Sequence, residues 1–408
     1  KHKSEGDMRQ EAIETDMSDD FLKNHHFPNL SPDLVSLYYF IARRQDGALS
    51  PEEIEIVESV RGLLSGEKPS HDDYEIPTES SQGVREFMSH LKKCTDEESN
   101  SYEAYYDAYN TIIQGFADGI IDKAAYTYSF RALAILGPRA NDNPQCLHEK
   151  INFLLSYFNA FLPTLNIQNV TDLLRSLVEI SYENENRTRL VSLLLDHAES
   201  GVFLMQWAEF GNAVSLLRNC SVLGMTEHSI IPSLVEQIHE CLVLIRSLPK
   251  ATVEKTLRNS AFDMLHKVMI LHPDLFDSDD VKFVRGKALG MERPSTPTPS
   301  VDNADKLIRE ILDSACTVIP YLIDHELGLE FDIFIAYRNA QRKDISLDVE
   351  MDGQQHDFSK LEDDFKDRIR IKRGINVVRI KNNEINDRET LRQKLTGIFK
   401  AMGLPVRE

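Results

Sequence analysis

Through most of the first 290 positions, apolar residues recur at three- and four-residue steps, the spacing that gathers them on one face of an α-helix. Ser50-Pro51-Glu52-Glu53 predicts a capped helix start with proline in the first turn, and Gly66 predicts the stop. Residues 66–83, with two prolines among Ser, Asp and Glu, predict a linker. Tyr102, Tyr105, Tyr106, Tyr109, Ile113 and Phe116 then predict a helix with an aromatic face, a packing surface rather than a base-stacking platform. From Ala124 to Phe276 helix follows helix, with breaks expected at Gly137-Pro138, Pro163, Gly201, Gly224, Pro249 and Pro273. Two stretches read as degenerate copies of one hairpin. Thr171–Ile180 leads to Ser192–His197, and Ala213–Cys220 leads to Ser233–Ile238. Their Leu-Leu-Arg triplets, 173–175 and 216–218, are offset by 43 residues, a period that suggests an α-solenoid of helical pairs. An irregular helical bundle is the alternative.

The pattern changes after Glu292-Arg-Pro-Ser-Thr-Pro-Thr-Pro-Ser-Val301, where three prolines predict an extended connector. Ala304–Ile319 then predicts a helix, and Phe331–Ala336 and Ile345–Met351 predict strands. Phe365–Arg373 predicts a helix ended by Gly374, and Asn376–Ile380 a third strand. Asp387–Met402 closes the chain as an amphipathic helix with Leu391, Leu395, Ile398 and Met402 inward. The expected fold class is α + α/β: a polar, loosely ordered arm over 1–30, an all-α region of helical-hairpin repeats over 31–290, a linker over 291–303, and a small α/β domain over 304–408.

Composition narrows the function classes. With 408 residues, 41% hydrophobic and 27% charged, the chain reads as globular and large enough for two or three cores. No run approaches the length of a membrane span, so no membrane partner is expected. No secretory signal is visible, and the missing initiator Met fits a processed or truncated form. Cys94, Cys146, Cys220, Cys241 and Cys316 show no CxxC spacing, which argues against a zinc site or a disulfide framework. There is also no HExxH, Walker or GxGxxG motif. A net charge of −20 opposes nonspecific binding to a polyphosphate. The acid is uneven, however. Residues 301–408 carry 18 basic and 21 acidic side chains, so most of the excess lies upstream.

Candidate chemistry concentrates in Leu347-Asp-Val-Glu-Met-Asp-Gly-Gln-Gln-His356. Strand alternation places Asp348, Glu350 and Asp352 on one face and Leu347, Val349 and Met351 on the other. Such a strand also fits the solvated side of a half-buried sheet. Asp332 on the preceding strand, with Glu350 and Asp352, makes a candidate metal set. A hard cation such as Mg²⁺ takes oxygen ligands and would activate water against a phosphate. No cofactor is certain from these residues. Gln354 and His356 would stand at the mouth, with His356 a candidate general acid or phosphate contact. Lys366, Arg370 and Arg373 fall at i, i+4 and i+7 of the next helix. With Arg379 and Lys381 they form a candidate phosphate-binding edge.

Phe331-Asp-Ile-Phe-Ile335, Val349-Glu-Met-Asp-Gly-Gln-Gln-His356 and the basic helix before Gly374-Ile-Asn-Val-Val-Arg-Ile380 together resemble a RAP domain, over about Tyr321 to Ile385. The same string is similar to the very-short-patch-repair endonucleases of the PD-(D/E)xK fold. There Asp332 matches the first metal carboxylate and Glu350 the second, while Asp352 stands where the catalytic lysine would be. The resemblance implies a restriction-endonuclease-like module after helical repeats, in an organellar (mitochondrial matrix) RNA-binding protein. It implies partners in RNA, either ribosomal or an organellar transcript, and in proteins of a ribonucleoprotein. The expected function is therefore RNA binding by Gln354, His356, Lys366, Arg370, Arg373, Arg379 and Lys381. The alternatives are an inactive structural or assembly subunit of a mitochondrial-ribosome-type particle, and a Mg²⁺-dependent nuclease using Asp332, Glu350, Asp352 and His356.

Overall fold

A computed structural model describes residues 75–77, 82–96, 101–140, 143–184, 186–202, 209–248, 253, 257, 259–289, 297–341, 343–353 and 356–407. The expected arm, the Ser50–Glu53 helix start with its Gly66 stop, the break at Pro249, residues 291–296 of the connector and Gln354 lie outside these residues. The described residues divide into two compact units, the first ending at Leu165 and the second beginning at Asn166.

In the first unit, α1 (Gln82–Asp96) and α2 (Ser101–Ala117) pack on each other and on α3 (Lys123–Arg139). Next come α4 (Pro144–Leu155) and the single turn α5 (Phe158–Phe161). Most of the tyrosine stripe is a packing face: Tyr105, Tyr109 and Phe116 are buried, Tyr106 and Ile113 are half-buried, and Tyr102 is exposed. It also encloses a charge. Lys150 Nζ, fully buried, lies 4.8, 5.6 and 5.5 Å from the ring centroids of Tyr105, Tyr106 and Tyr109. The break expected at Gly137-Pro138 does not occur, and α3 runs through to Arg139. Pro138 falls in the last turn, and Gly137 serves packing: a Cβ there would meet Leu147 Cδ2 of α4 at 2.7 Å.

The second unit opens with α6 (Ile167–Glu179), started by a reciprocal Asn166/Asn169 capping box. Then follow α7 (Arg187–Val202), α8 (Phe210–Val222) and α9 (Ile230–Ser247). The two expected hairpins are thus α6/α7 and α8/α9. α6 packs on α8, and α7 on α9. Arg175 Nη2 donates to Ser215 Oγ, and Asn219 Nδ2 to the Thr171 carbonyl, across the first pair. α10 (Asn259–Leu271) continues from α8, and α11 (Ser278–Ala288) packs on α10.

The C-terminal part is a mixed four-stranded sheet with helices on both faces. α12 (Pro299–Ile311) is capped by Thr298, with proline in its first turn. The helix expected over 304–319 ends at Ile311, and Thr317–Asp324 is a strand, β1. Thr317, Val318 and Ile319 are β-branched and pair with β2 (Leu329–Arg338), which overrides the helical continuation. Pro320 is tolerated because β1 is an edge strand. The order is β1-β2-β3-β4, with β3 (Asp344–Asp352) antiparallel to β2 and parallel to β4 (Ile375–Lys381). The parallel pair requires a crossover, and α13 (His356–Lys372) provides it. Gly374 at φ +76° then makes the left-handed turn into β4. One face of the sheet, with Ile333, Ile335, Leu347, Val349, Met351 and Ile380, packs on Leu307, Ile308 and Ile311 of α12 and on Leu391, Leu395 and Phe399 of α14 (Arg388–Ala401). α13 covers the other face, and also packs against α6, α8 and α10.

Candidate functional site

The two-residue period of β3 sends Leu347, Val349 and Met351 into the core and leaves Asp348, Glu350 and Asp352 on the face beneath α13. This acidic face is not solvated. Asp348 is 0% exposed, and Glu350 and Asp352 are half-buried. A row of carboxylates in such a place needs compensating charge, and two arginines supply part of it.

Arg370 projects from α13 onto the strand and is 1% exposed. Its Nε lies 2.7 Å from Asp348 Oδ2, with the N–H misaligned, so the contact is close but is not a hydrogen bond. Nη2 donates to Glu350 Oε1 at 2.7 Å and to the Glu330 carbonyl at 3.1 Å, and Nη1 donates to Asp367 Oδ1 at 2.9 Å. The guanidinium carbon sits 5.5 Å from the centroid of the Phe331 ring. Arg379 of β4 holds Asp367 with two nitrogens, Nε at 3.0 Å and Nη2 at 2.9 Å, and Asp352 Oδ1 with Nη1 at 2.7 Å. Asp367 therefore bridges the two arginines. Asp363, one turn earlier on α13, accepts from Ser359 Oγ and lies 4.0 Å from Arg379.

Three carboxylates share the single Arg370 guanidinium, so the most buried of them keeps a proton more readily. Burial, followed by the charge of Glu350 and a hydrogen bond with it, holds the Asp348 carboxyl well above the usual carboxylate range despite Arg370.

Asp332 does other work. Its Oδ2 accepts the Met351 N–H at 2.7 Å. The β2–β3 ladder ends at Ile333–Val349, and this carboxylate takes the place of the next backbone acceptor. The metal set expected from Asp332, Glu350 and Asp352 is therefore not assembled. Asp332 serves a backbone amide, while Glu350 and Asp352 serve guanidiniums. Among the described residues, the three do not bring one ligand oxygen each within 4.8 Å of one another. Arg370 and Arg379 are the cations that stand beside Glu350 and Asp352.

The expected basic edge is split as well. Lys366, Arg370 and Arg373 do not form one exposed stripe, since Arg370 is interior. Lys366 stays exposed, 3.8 Å from Asp363. Lys372, Arg373 and Lys381 are exposed at the end of α13 and of β4. Arg368, on the helix-facing side, donates to the Ser221 carbonyl at 2.9 Å. His356 begins α13.

Asp363 and Asp367 are the residues that sequence reasoning missed. Their i, i+4 spacing, with Asp367 three residues before Arg370, was the available signal. Arg218 of α8 pairs with Glu362, and Leu361 N donates to Ser181 Oγ at 2.9 Å. These contacts fix the outer side of α13 to the helices. Among the described residues, no helix is long and apolar enough to cross a membrane. No protein-family model matches the chain, and no curated protein matches it.

Proposed function

We propose that this chain is an RNA-binding component of a ribonucleoprotein. Its C-terminal part is a RAP-like module that keeps a nuclease-type sheet as a rigid scaffold, and its tandem helical hairpins form an adjoining array. One observation carries the non-catalytic half of this reading: Arg370 and Arg379 engage Asp348, Glu350, Asp352 and Asp367 internally. With those carboxylates engaged, the exposed cations Lys372, Arg373 and Lys381 are left to meet phosphates. An organellar compartment follows from the resemblance to RAP proteins alone.

The test is fluorescence anisotropy of a single-stranded RNA oligomer with the full chain, over a salt series. Replacing Lys372, Arg373 and Lys381 together by alanine should weaken binding. It should also lower the slope of log affinity against log salt by about 2, the effect of three lost phosphate contacts on a single strand. Unchanged affinity and slope would remove the RNA-binding reading.

The net charge of −20 favours a second reading, in which the chain meets mainly protein as a structural or assembly subunit. That reading expects co-sedimentation with a large particle that survives the triple alanine substitution, and a wholly free protein in a cell gradient counts against it.

A further inference from the structure

The first unit contains a group of side chains that the RNA-binding reading does not use. His90 and Cys94 stand at i and i+4 on α1, hence on one face. Asp107 reaches the same point from α2, which packs against α1. His90 Nε2 lies 2.8 Å and Cys94 Sγ 3.7 Å from the same Asp107 oxygen, Oδ2. The three ligand atoms all fall within 4.8 Å of one another, and among the described residues this is the one His, Cys, Asp or Glu group that does so. We infer that His90, Cys94 and Asp107 bind one divalent cation of the zinc class, with Zn²⁺ and Co²⁺ as the matching ions.

Geometry supports this first. Tetrahedral zinc with metal–nitrogen and metal–oxygen distances of about 2.0–2.1 Å and metal–sulfur of about 2.3 Å separates its ligand atoms by roughly 3.3–3.7 Å. The sulfur–oxygen separation of 3.7 Å already lies at the upper end of that range, and the nitrogen–oxygen separation of 2.8 Å reaches it when the two exposed side chains move apart by about half an ångström. The donor set then selects the metal. A thiolate and an imidazole suit zinc and cobalt and are foreign to Mg²⁺ and Ca²⁺, which take oxygen. One thiolate and one carboxylate cancel the dication's charge.

Access fits as well. Cys94 is 3% exposed and forms the floor, while the side chains of His90 and Asp107 are 41% and 58% exposed at the mouth. The two exposed ligands leave an ion a route in, and a water would complete its tetrahedron. In the metal-free state the His90–Asp107 contact satisfies both groups. Binding replaces that contact with two metal–ligand bonds, forms a third bond to Cys94 sulfur, and releases the thiol proton to solvent. The sequence hid this site because its third ligand comes from another helix, outside any short spacing motif.

The experiment is a Co²⁺ titration of the full chain by absorption spectroscopy, followed by displacement with Zn²⁺. One equivalent of Co²⁺ should give a near-ultraviolet thiolate-to-cobalt charge-transfer band, bleached by Zn²⁺. Cys94→Ser should abolish the band, and His90→Gln and Asp107→Asn should each weaken binding on the order of tenfold or more. The last two alter exposed side chains, and circular dichroism checks their folding, so the outcome stays readable if Cys94→Ser is unstable. Among the described residues, Cys146 and Cys316 are the half-buried thiols that could give a band of their own. A band that persists in Cys94→Ser, an affinity indifferent to His90→Gln and Asp107→Asn, or cobalt binding without a thiolate band would each overturn the inference.

Discussion

Arg370 Nε rests 2.7 Å from Asp348 Oδ2 at a point that solvent does not reach, with 1% and 0% of the two side chains exposed. This pair joins α13 to the middle of the sheet, and everything on the acidic side of β3 is arranged around it. A guanidinium suits the place better than an ammonium because its planar fork serves Asp348, Glu350 and Asp367 from different nitrogens.

Arg370→Met should therefore destabilise the second unit strongly. Removing one partner leaves buried carboxylates without compensation, at a cost of about 3–5 kcal/mol. Arg370→Lys should recover only part of this, since one ammonium cannot reach the same oxygens with the same geometry. Urea unfolding followed by circular dichroism measures both. A loss below about 1 kcal/mol for Arg370→Met, the range of an exposed ion pair, would show that the network is not the joint proposed here.

Asp332 separates a backbone role from a catalytic one. Asp332→Ala should leave the Met351 N–H without its acceptor and cost about 1–3 kcal/mol. Asp332→Asn keeps a carbonyl oxygen there and should be milder. Hydrogen exchange at Met351 gives the local readout: it should speed up markedly in the alanine variant and little in the asparagine variant. Equal exchange in all three proteins would contradict the hydrogen bond at 2.7 Å.

The aromatic cage offers a test within the first unit. Lys150→Met retains the length and apolar stem of the side chain but removes the charge that faces Tyr105, Tyr106 and Tyr109. Desolvated cation–π contacts contribute about 2 kcal/mol or more, so the thermal midpoint of this unit should fall. Unfolding monitored by tyrosine fluorescence would record it, and an unchanged midpoint would assign the cage to shape alone.

Much of this architecture was legible from periodicity. The three-to-four spacing found the helix that carries the tyrosine face, α2, and the helices α6 to α9. The two-residue spacing found β3 and the separation of Leu347, Val349 and Met351 from Asp348, Glu350 and Asp352. Strand β1 was not legible, because Thr317–Ile319 follows an amphipathic helix directly and its pairing to β2 is a tertiary event. The partners of the acidic face were also out of reach. Alternation says which side chains share a face but not what covers it, and Arg370 looked like one of three surface cations on a helix. Only the crossover through α13 turns it inward. His90, Cys94 and Asp107 were invisible for the same reason, being joined by helix packing and not by spacing.

The raised Asp348 carboxyl gives the unit a pH dependence of defined sign. In the unfolded chain this group titrates near the ordinary carboxylate value, whereas in the folded unit burial and Glu350 hold it well above that. Between the two values the folded state binds more protons than the unfolded state. Stability contributed by this group is thus complete below the unfolded value, declines as pH rises through the window, and is lost above the folded value, by up to about 1.4 kcal/mol per pH unit. Asp348→Asn preserves shape and neutrality and removes the titration. The variant should match the parent in acid and exceed it in urea resistance as pH rises through that window. The measurement is the urea midpoint of both proteins across a pH series. A parent that instead gains on Asp348→Asn with rising pH would mean that Arg370 keeps Asp348 ionised, and that the shared proton resides elsewhere in the network.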